Sequence, residues 1–282
     1  MIIREPIQLD NLPNLIAEAA KTYGLSNLKL VKILNYNHVL SGFQGSRPII
    51  LKLGLDRDGL KREAEALMAF SRLGVVQVFL VTNALLLLEC AVPGVSLKSH
   101  FPQNDDEAIY ITANIIKRLH KAPIPRTHTF PNIKDWLQAL DQDCNIRVSS
   151  LKKARQLRDN LLETSTKEVL LHGDLHHDNI LQNGNDWVVI DPKGVIGEPA
   201  YEVAAFIRNP IPELLAHENA PNIIHNRIDR FTQMLELPSQ RILDWCFVQA
   251  VLAWAWAIED GDDETYFKNL TEFFEKYIDV QS

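Results

Sequence analysis

Three polar side chains stand at fixed spacing between apolar runs: Asp174, Asn179 five positions later, and Asp191 twelve positions after that. Val169 to Leu171 precedes them, Ile180 and Leu181 divide them, and Trp187 to Ile190 leads into the last. Polar groups set off in this way belong to a loop held between strands. Phosphoryl transfer from ATP needs such a set: a carboxylate beside the attacking hydroxyl, and oxygen ligands that fix Mg²⁺ on the phosphates. Asp and Asn also cap helices and close turns, and for any one of the three alone that reading is as good. Together, at this spacing, they favour the chemical one. His172, His176 and His177 could suggest zinc, but H-G-D-L-H-H-D lacks the helical i, i+4 placement of H-E-x-x-H.

The Asp174 to Asn179 interval equals that of the protein-kinase loop H-R-D-L-x-x-x-N, which D-F-G follows. Gly173 replaces the Arg and Pro192 the Phe. HGDLHHDNIL, VVIDPKGVIGEPAYEVA and IRNP resemble the aminoglycoside phosphotransferases, and most of all their streptomycin 6-kinase, or aminoglycoside/hydroxyurea resistance, branch. The resemblance is strongest from Leu86 to Pro210. It implies an α+β, two-lobed, protein-kinase-like fold. Residues 1–90 would form an ATP-binding lobe of small antiparallel sheet and one main helix, and residues 91–282 a larger, mostly helical catalytic and substrate lobe.

It also implies ATP and Mg²⁺, with Asp174 as the catalytic carboxylate and Asn179 and Asp191 as metal ligands. Lys52, in I-I-L-K-L-G, takes the place of the third-strand lysine that holds the α- and β-phosphates. Glu63, counted back from its helix end, fits the partner position better than Glu65. Where the lobes meet, the family reads adenine through main-chain groups, implying the Glu89 carbonyl and the Ala91 N–H, with Leu88 lining the pocket. WAWAIEDGDD resembles the acidic element that binds the cationic drug. Glu259 and Asp260 are favoured there over Asp262 and Asp263 because they continue the helix, Glu198 adds another carboxylate, and Glu202 braces the catalytic loop.

The acceptor implied is a hydroxyl of a cationic small molecule, an aminoglycoside such as streptomycin phosphorylated at its 6-position and thereby inactivated. An endogenous amino sugar or amino alcohol remains open as acceptor, as does a nucleotide-binding module without turnover. A protein kinase carries a long activation segment between D-F-G and A-P-E. Here Pro192 to Pro199 runs straight into a helix-compatible stretch, Tyr201 to Ile207, leaving no room for a peptide platform.

The elements that must position these groups are legible as periodicities. Asp10 to Tyr23 has helical spacing and Gly24 as its stop. Leu28 to Leu34, Val39 to Gly42 and Ile49 to Leu53 read as strands, and Leu60 to Leu73 as the helix carrying Glu63. Val75 to Val81 and Ala84 to Glu89 read as two more strands, followed by a turn over Cys90 to Gly94. Ala108 to His120, Trp136 to Leu140, Lys152 to Glu163 and Arg241 to Ile258 read as helices. In place of a glycine-rich phosphate loop the chain offers Asn35-Tyr36-Asn37-His38, so that loop contributes no argument for ATP.

The 282 residues carry a formal charge of −7 and a pI near 5.7. This disfavours a nucleic-acid surface, which displays clustered Lys and Arg, and suits a cationic partner. Cys90, Cys144 and Cys246 are scattered and odd in number, the pattern of reduced thiols. MIIREPIQLD has no basic start followed by an apolar stretch, and the apolar window Val75 to Val95 is interrupted by Gln77, Asn83, Glu89 and Pro93. The expectation is a cytoplasmic protein with no membrane partner.

Overall fold

The structure, a computed structural model, describes residues 12–34, 37–54, 57–142 and 144–281. Asp10, Asn35 and Tyr36 lie outside the described residues, so the loop that would cover the phosphates is not described beyond Asn37 and His38, which open a strand.

The chain begins with helix α1 (Leu12–Tyr23) and then builds a sheet from β1 (Leu25–Leu34), β2 (Asn37–Gln44) and β3 (Arg47–Gly54). Helix α2 (Arg57–Ala69) follows, then β4 (Val78–Val81) and β5 (Leu85–Glu89). The five strands are antiparallel in the order β1-β2-β3-β5-β4. Side chains alternate between faces along a strand, and this explains the unbroken Leu85-Leu86-Leu87-Leu88. Leu85 and Leu87 join Ile49, Leu51 and Leu53 in a core with α1, whereas Leu86 and Leu88 pack with Leu60, Ala64 and Leu67 of α2. The sheet is buried on both faces, so no polar residue interrupts the run. Lys52 pairs with Leu86 in register and therefore lies on the α2 face, since directly opposed residues share a side.

Strand β6 (Pro93–Ser96) leads into the second lobe, followed by α3 (Asp105–Leu119), α4 (Ile133–Leu137), α5 (Val148–Glu163) and β7 (Val169–Leu171). Then come β8 (Ile180–Asn183), β9 (Asp186–Val189), β10 (Val195–Gly197), α6 (Pro199–Ile207) and α7 (Glu213–Ala216). The last helices are α8 (Ala220–Leu235), α9 (Ser239–Asp260) and α10 (Thr265–Gln281). Helix α9 is the axis of this lobe, with α5, α6, α8 and α10 packed on it. By length and composition it could cross a membrane, but 83% of its apolar window is buried inside the protein. Trp245, Phe247 and Leu252 are core residues on it.

Several boundaries differ from expectation. The Glu63 helix runs from Arg57 to Ala69, because Phe70 to Gly74 form a turn ending at Gly74 with φ +100°. Val75 lies outside strand β4 and bridges in parallel to Val189. Pro93 and Gly94, expected in the turn over Cys90 to Gly94, instead open strand β6, which pairs with β8, its first residue being one that needs no ladder donor.

Candidate active site

The site is built on two short sheets. Strand β7 delivers the chain to His172-Gly173-Asp174, and the β8–β9 hairpin delivers Asp191. A 3₁₀ turn at His177–Asn179 closes the loop between them. Asn179 donates from Nδ2 to the Asp174 carbonyl at 2.8 Å, and its own carbonyl accepts from Ile190 N–H at 3.0 Å. The residue before Asp191 is thereby tied to Asn179.

His172 is fully buried and satisfied at both ring nitrogens: Nε2 meets the Ile190 carbonyl at 2.8 Å, and Nδ1 accepts from Asp174 N–H at 3.2 Å. Burial pushes its imidazole below the ordinary range and outweighs the nearby Glu202, so the ring is neutral, with Nε2 as donor. Glu202, on α6, accepts from His172 N–H at 2.7 Å and Gly173 N–H at 2.9 Å. Burial opposes its charge, but His120 and the Gly173 amide outweigh that and hold the carboxyl below its usual value. Glu202 braces the loop, as expected. Gly173 adopts φ +83°, and a Cβ there would lie 2.9 Å from both Trp136 and Val195.

Beneath the loop, fully buried Arg227 forms a bidentate pair with Asp105 at 2.6 and 2.9 Å. It also donates to the carbonyls of Phe206 and Ile207 at 3.2 and 3.1 Å and to that of Asn209. It thus satisfies carbonyls left unpaired where α6 ends and fixes that helix end to α3.

Across the lobe junction, Lys52 Nζ donates to Glu63 Oε1 at 2.7 Å and to Asp191 Oδ1. Burial would lower the lysine, but its two carboxylate partners raise it above its ordinary value and keep it charged. Lys52 in turn outweighs burial at Asp191 and depresses its carboxyl. Asp191 itself has φ +61°, a conformation uncommon outside glycine. Glu65 points elsewhere, accepting from Thr129 N–H and Oγ1 at 3.1 and 2.7 Å, so the lysine's helix partner is Glu63. Glu89 is taken by Gln77 N–H at 3.0 Å and Asn183 Nδ2 at 3.0 Å. Its side chain therefore clasps the start of the second lobe, beside Ala91. Leu88 is buried on the Lys52 face.

Asp174 opens into a cleft of about 520 Å³ whose lining includes Trp136, Tyr201 and Trp256 and the acidic residues Asp260, Asp262 and Asp263. Arg208 Nη2 lies 4.0 Å from Asp174 Oδ1 and His176 Nε2 3.7 Å from Asp174 Oδ2. Burial raises the Asp174 carboxyl, but His176, Lys193 and Arg208 more than offset it and hold the group well below the carboxylate range. Arg208 is itself fixed by Gln249 Oε1 at 2.6 Å.

Two expected acceptor carboxylates are not here. Glu198 is buried and bound by Arg241, with Nε at 2.8 Å, and by the Trp245 indole. It is a bolt between α6 and α9. Glu259 is exposed and does not line the cleft. The reason is helical phase: α9 lines the cleft with Ala253, Trp256, Ala257 and Asp260, spaced three and four apart, and Glu259 lies off that row; Gly261, at φ +73°, then ends α9 before Asp262 and Asp263. Arg208, Trp136 and Trp256 were not anticipated as lining residues, and no local pattern in the sequence announces them.

A two-sided antiparallel sheet carrying a lysine–glutamate pair, joined to a helical lobe carrying the H-G-D loop and Asp191, is the fold of protein-kinase-like small-molecule phosphotransferases. The sequence profile of the aminoglycoside/hydroxyurea antibiotic resistance kinases matches residues 38–261, and the chain belongs to that family. It is 30% identical over 227 residues to a streptomycin 3''-kinase of Klebsiella pneumoniae, covering 77% of this chain and 83% of the relative. It is 27% identical over 172 residues to a streptomycin 6-kinase of Streptomyces griseus, covering 56% of this chain and 54% of that protein. Among solved structures, aminoglycoside phosphotransferase APH(4)-Ia in ternary complex with ADP and hygromycin B superposes with a TM-score of 0.72. That match is at 15% identity over 94% of this chain and 97% of the other.

Proposed function

We propose that the protein transfers the γ-phosphoryl group of ATP, in the presence of Mg²⁺, to a hydroxyl of a cationic aminoglycoside, with streptomycin as acceptor and its 6-hydroxyl as the position. The observation that carries this reading is the cleft itself, which Asp174 lines together with Asp260, Asp262 and Asp263. Relatives named for streptomycin and a neighbour holding hygromycin B support the acceptor class.

Asp174 accepts a hydrogen bond from the acceptor hydroxyl and aims its oxygen at the γ-phosphorus. As the new O–P bond forms, the bond to the β-phosphate oxygen breaks, ADP leaves, and the hydroxyl proton passes to Asp174 and then to water. A carboxyl held this far below its ordinary value is a weak base, so its chief part is orientation. A loose transition state, in which the proton is needed late, asks for no more. Lys52, kept charged by Glu63 and Asp191, neutralises the phosphates. Leu88 and the main chain from Glu89 to Ala91 bound the adenine side.

Asp191 and Asn179 fit Mg²⁺. Each presents a hard oxygen, and Asn179 spends only its amide nitrogen and main chain on the loop. Among the described residues no group of three or more His, Cys, Asp or Glu forms a metal cage. This suits an ion that holds few protein ligands and completes its shell with substrate phosphates and water. Bound there, Mg²⁺ supplies neutralisation of the phosphate charge.

The test is ADP release with streptomycin and other aminoglycosides, with product phosphorus located by NMR. Phosphate on the 3''-hydroxyl would overturn the position and keep the acceptor. Asp174→Ala should lower kcat by about 10²–10⁴-fold, and chelation of Mg²⁺ should abolish turnover; retained turnover in either would sink the mechanism. ADP release with a cell extract alone would transfer the reading to an endogenous amino sugar or amino alcohol, and none with any acceptor to a nucleotide-binding module.

A further inference from the structure

The second lobe treats its tryptophans unequally. Trp245 and Trp254 are buried, and their indole N–H groups are spent on Glu198 and Glu264. Trp136 and Trp256 are only half-buried, both line the Asp174 cleft, and neither indole N–H has a hydrogen-bond partner among the described residues. Their ring centroids lie 6.1 Å apart with planes at 78°, and Trp136 also lies 6.4 Å from Tyr201. The pair is therefore an open corner, one ring face standing beside the edge of the next. Trp136 is seated on the catalytic loop, so close to Gly173 that a Cβ there would come within 2.9 Å of its Cη2.

A corner of this kind beside three carboxylates asks for a particular cation. A guanidinium is planar and weakly hydrated, so it stacks on an aromatic face while its N–H groups reach carboxylates. An ammonium is compact and strongly hydrated, and it gains little from leaving water for a ring face. We propose that Trp136 and Trp256 are specificity-determining residues that select acceptors bearing a guanidinium group over those bearing only ammonium groups. The guanidinium stacks in the corner, Asp260, Asp262 and Asp263 balance its charge, and the seat of Trp136 on Gly173 fixes the cation one residue from Asp174. The inference rests on the reading that this cleft takes the acceptor.

Two cyclitols separate the chemistries without turnover: streptidine, with two guanidinium groups, and 2-deoxystreptamine, with two ammonium groups. Calorimetric titration of the full chain should give streptidine the tighter binding by about tenfold, the reach of a partly desolvated cation–π contact. Trp256→Leu should lose about fivefold toward streptidine and little toward 2-deoxystreptamine, with KM for ATP unchanged as the check on folding. Trp256→Phe, which keeps a weaker ring face, should fall between the two. Equal binding of the two cyclitols to the unsubstituted protein would overturn the proposal and requires no variant. Streptomycin turnover with an unaltered KM in Trp256→Leu would also overturn it, leaving the kinase reading intact. Preference for streptidine without phosphorylation of any aminoglycoside would do the reverse.

Discussion

Lys52 and Asp191 lie 139 positions apart in the chain and are bonded directly across the junction of the lobes. The lysine is buried and answers two carboxylates at once, so it links the sheet, α2 and the loop after β9. Lys52→Met would leave the buried Glu63 without its partner, a change worth about 3–5 kcal/mol for a buried pair. Chemical denaturation should show a loss of that order, and ATP binding by calorimetry should vanish with it. A stable variant that still binds ATP would contradict this account.

Arg208 Nη2 lies 4.0 Å from the carboxylate of Asp174, the group proposed to aim the acceptor. Asp174 has a depressed pKa because cations outweigh its burial, so removing one cation raises it. A carboxyl with a depressed pKa stays ionised until the pH falls through that value. In Arg208→Met the acid limb of the kcat profile should therefore move to higher pH, while Arg208→Lys should restore most of the difference. An acid limb unmoved in the Met variant would remove Arg208 from this role.

Gly173 has no space for a side chain and no favourable φ for one. Gly173→Ala should cost about 1–3 kcal/mol in strain alone and lower kcat as Trp136 and the loop are pushed apart. Unfolding curves together with kcat test both parts, and a neutral substitution would mean that the loop relaxes freely.

The acidic turn and the helix end can be told apart by charge removal. Asp262→Asn and Asp263→Asn should each raise KM for streptomycin two- to fivefold, since an exposed ion pair contributes about 0.2–1 kcal/mol. Glu259→Gln should leave KM unchanged, and added salt should shrink all these effects. A rise confined to Glu259→Gln would reverse the assignment made from the structure.

The legible part of the site was the part set by spacing along one segment. Asp174, Asn179 and Asp191 fall within one loop-and-hairpin unit, so their interval in the chain is nearly their arrangement in space. Lys52 was legible only through the resemblance, since a lone lysine in an apolar strand also reads as a guard of a sheet edge. Glu198 failed because its carboxylate is claimed by Arg241, 43 positions later, and no local pattern announces that pairing. Glu259 failed because it lies off the helix row, Ala253, Trp256, Ala257 and Asp260, that α9 turns to the cleft. Trp136 and Trp256 carry no sequence signal of their place in the cleft, because an aromatic residue on a helix is more often core, and only the neighbours across the cleft decide otherwise. Strand β6 was missed because Pro93-Gly94 has turn chemistry whether or not Val95 and Ser96 go on to pair.

The segment after Asp191 is short and fastened: Lys193 and Gly194 both donate to the His172 carbonyl, at 2.8 and 3.2 Å, and β10 pairs with β7. Nothing in that stretch is left to swing in or out, so a covalent switch placed there would have no hinge on which to act.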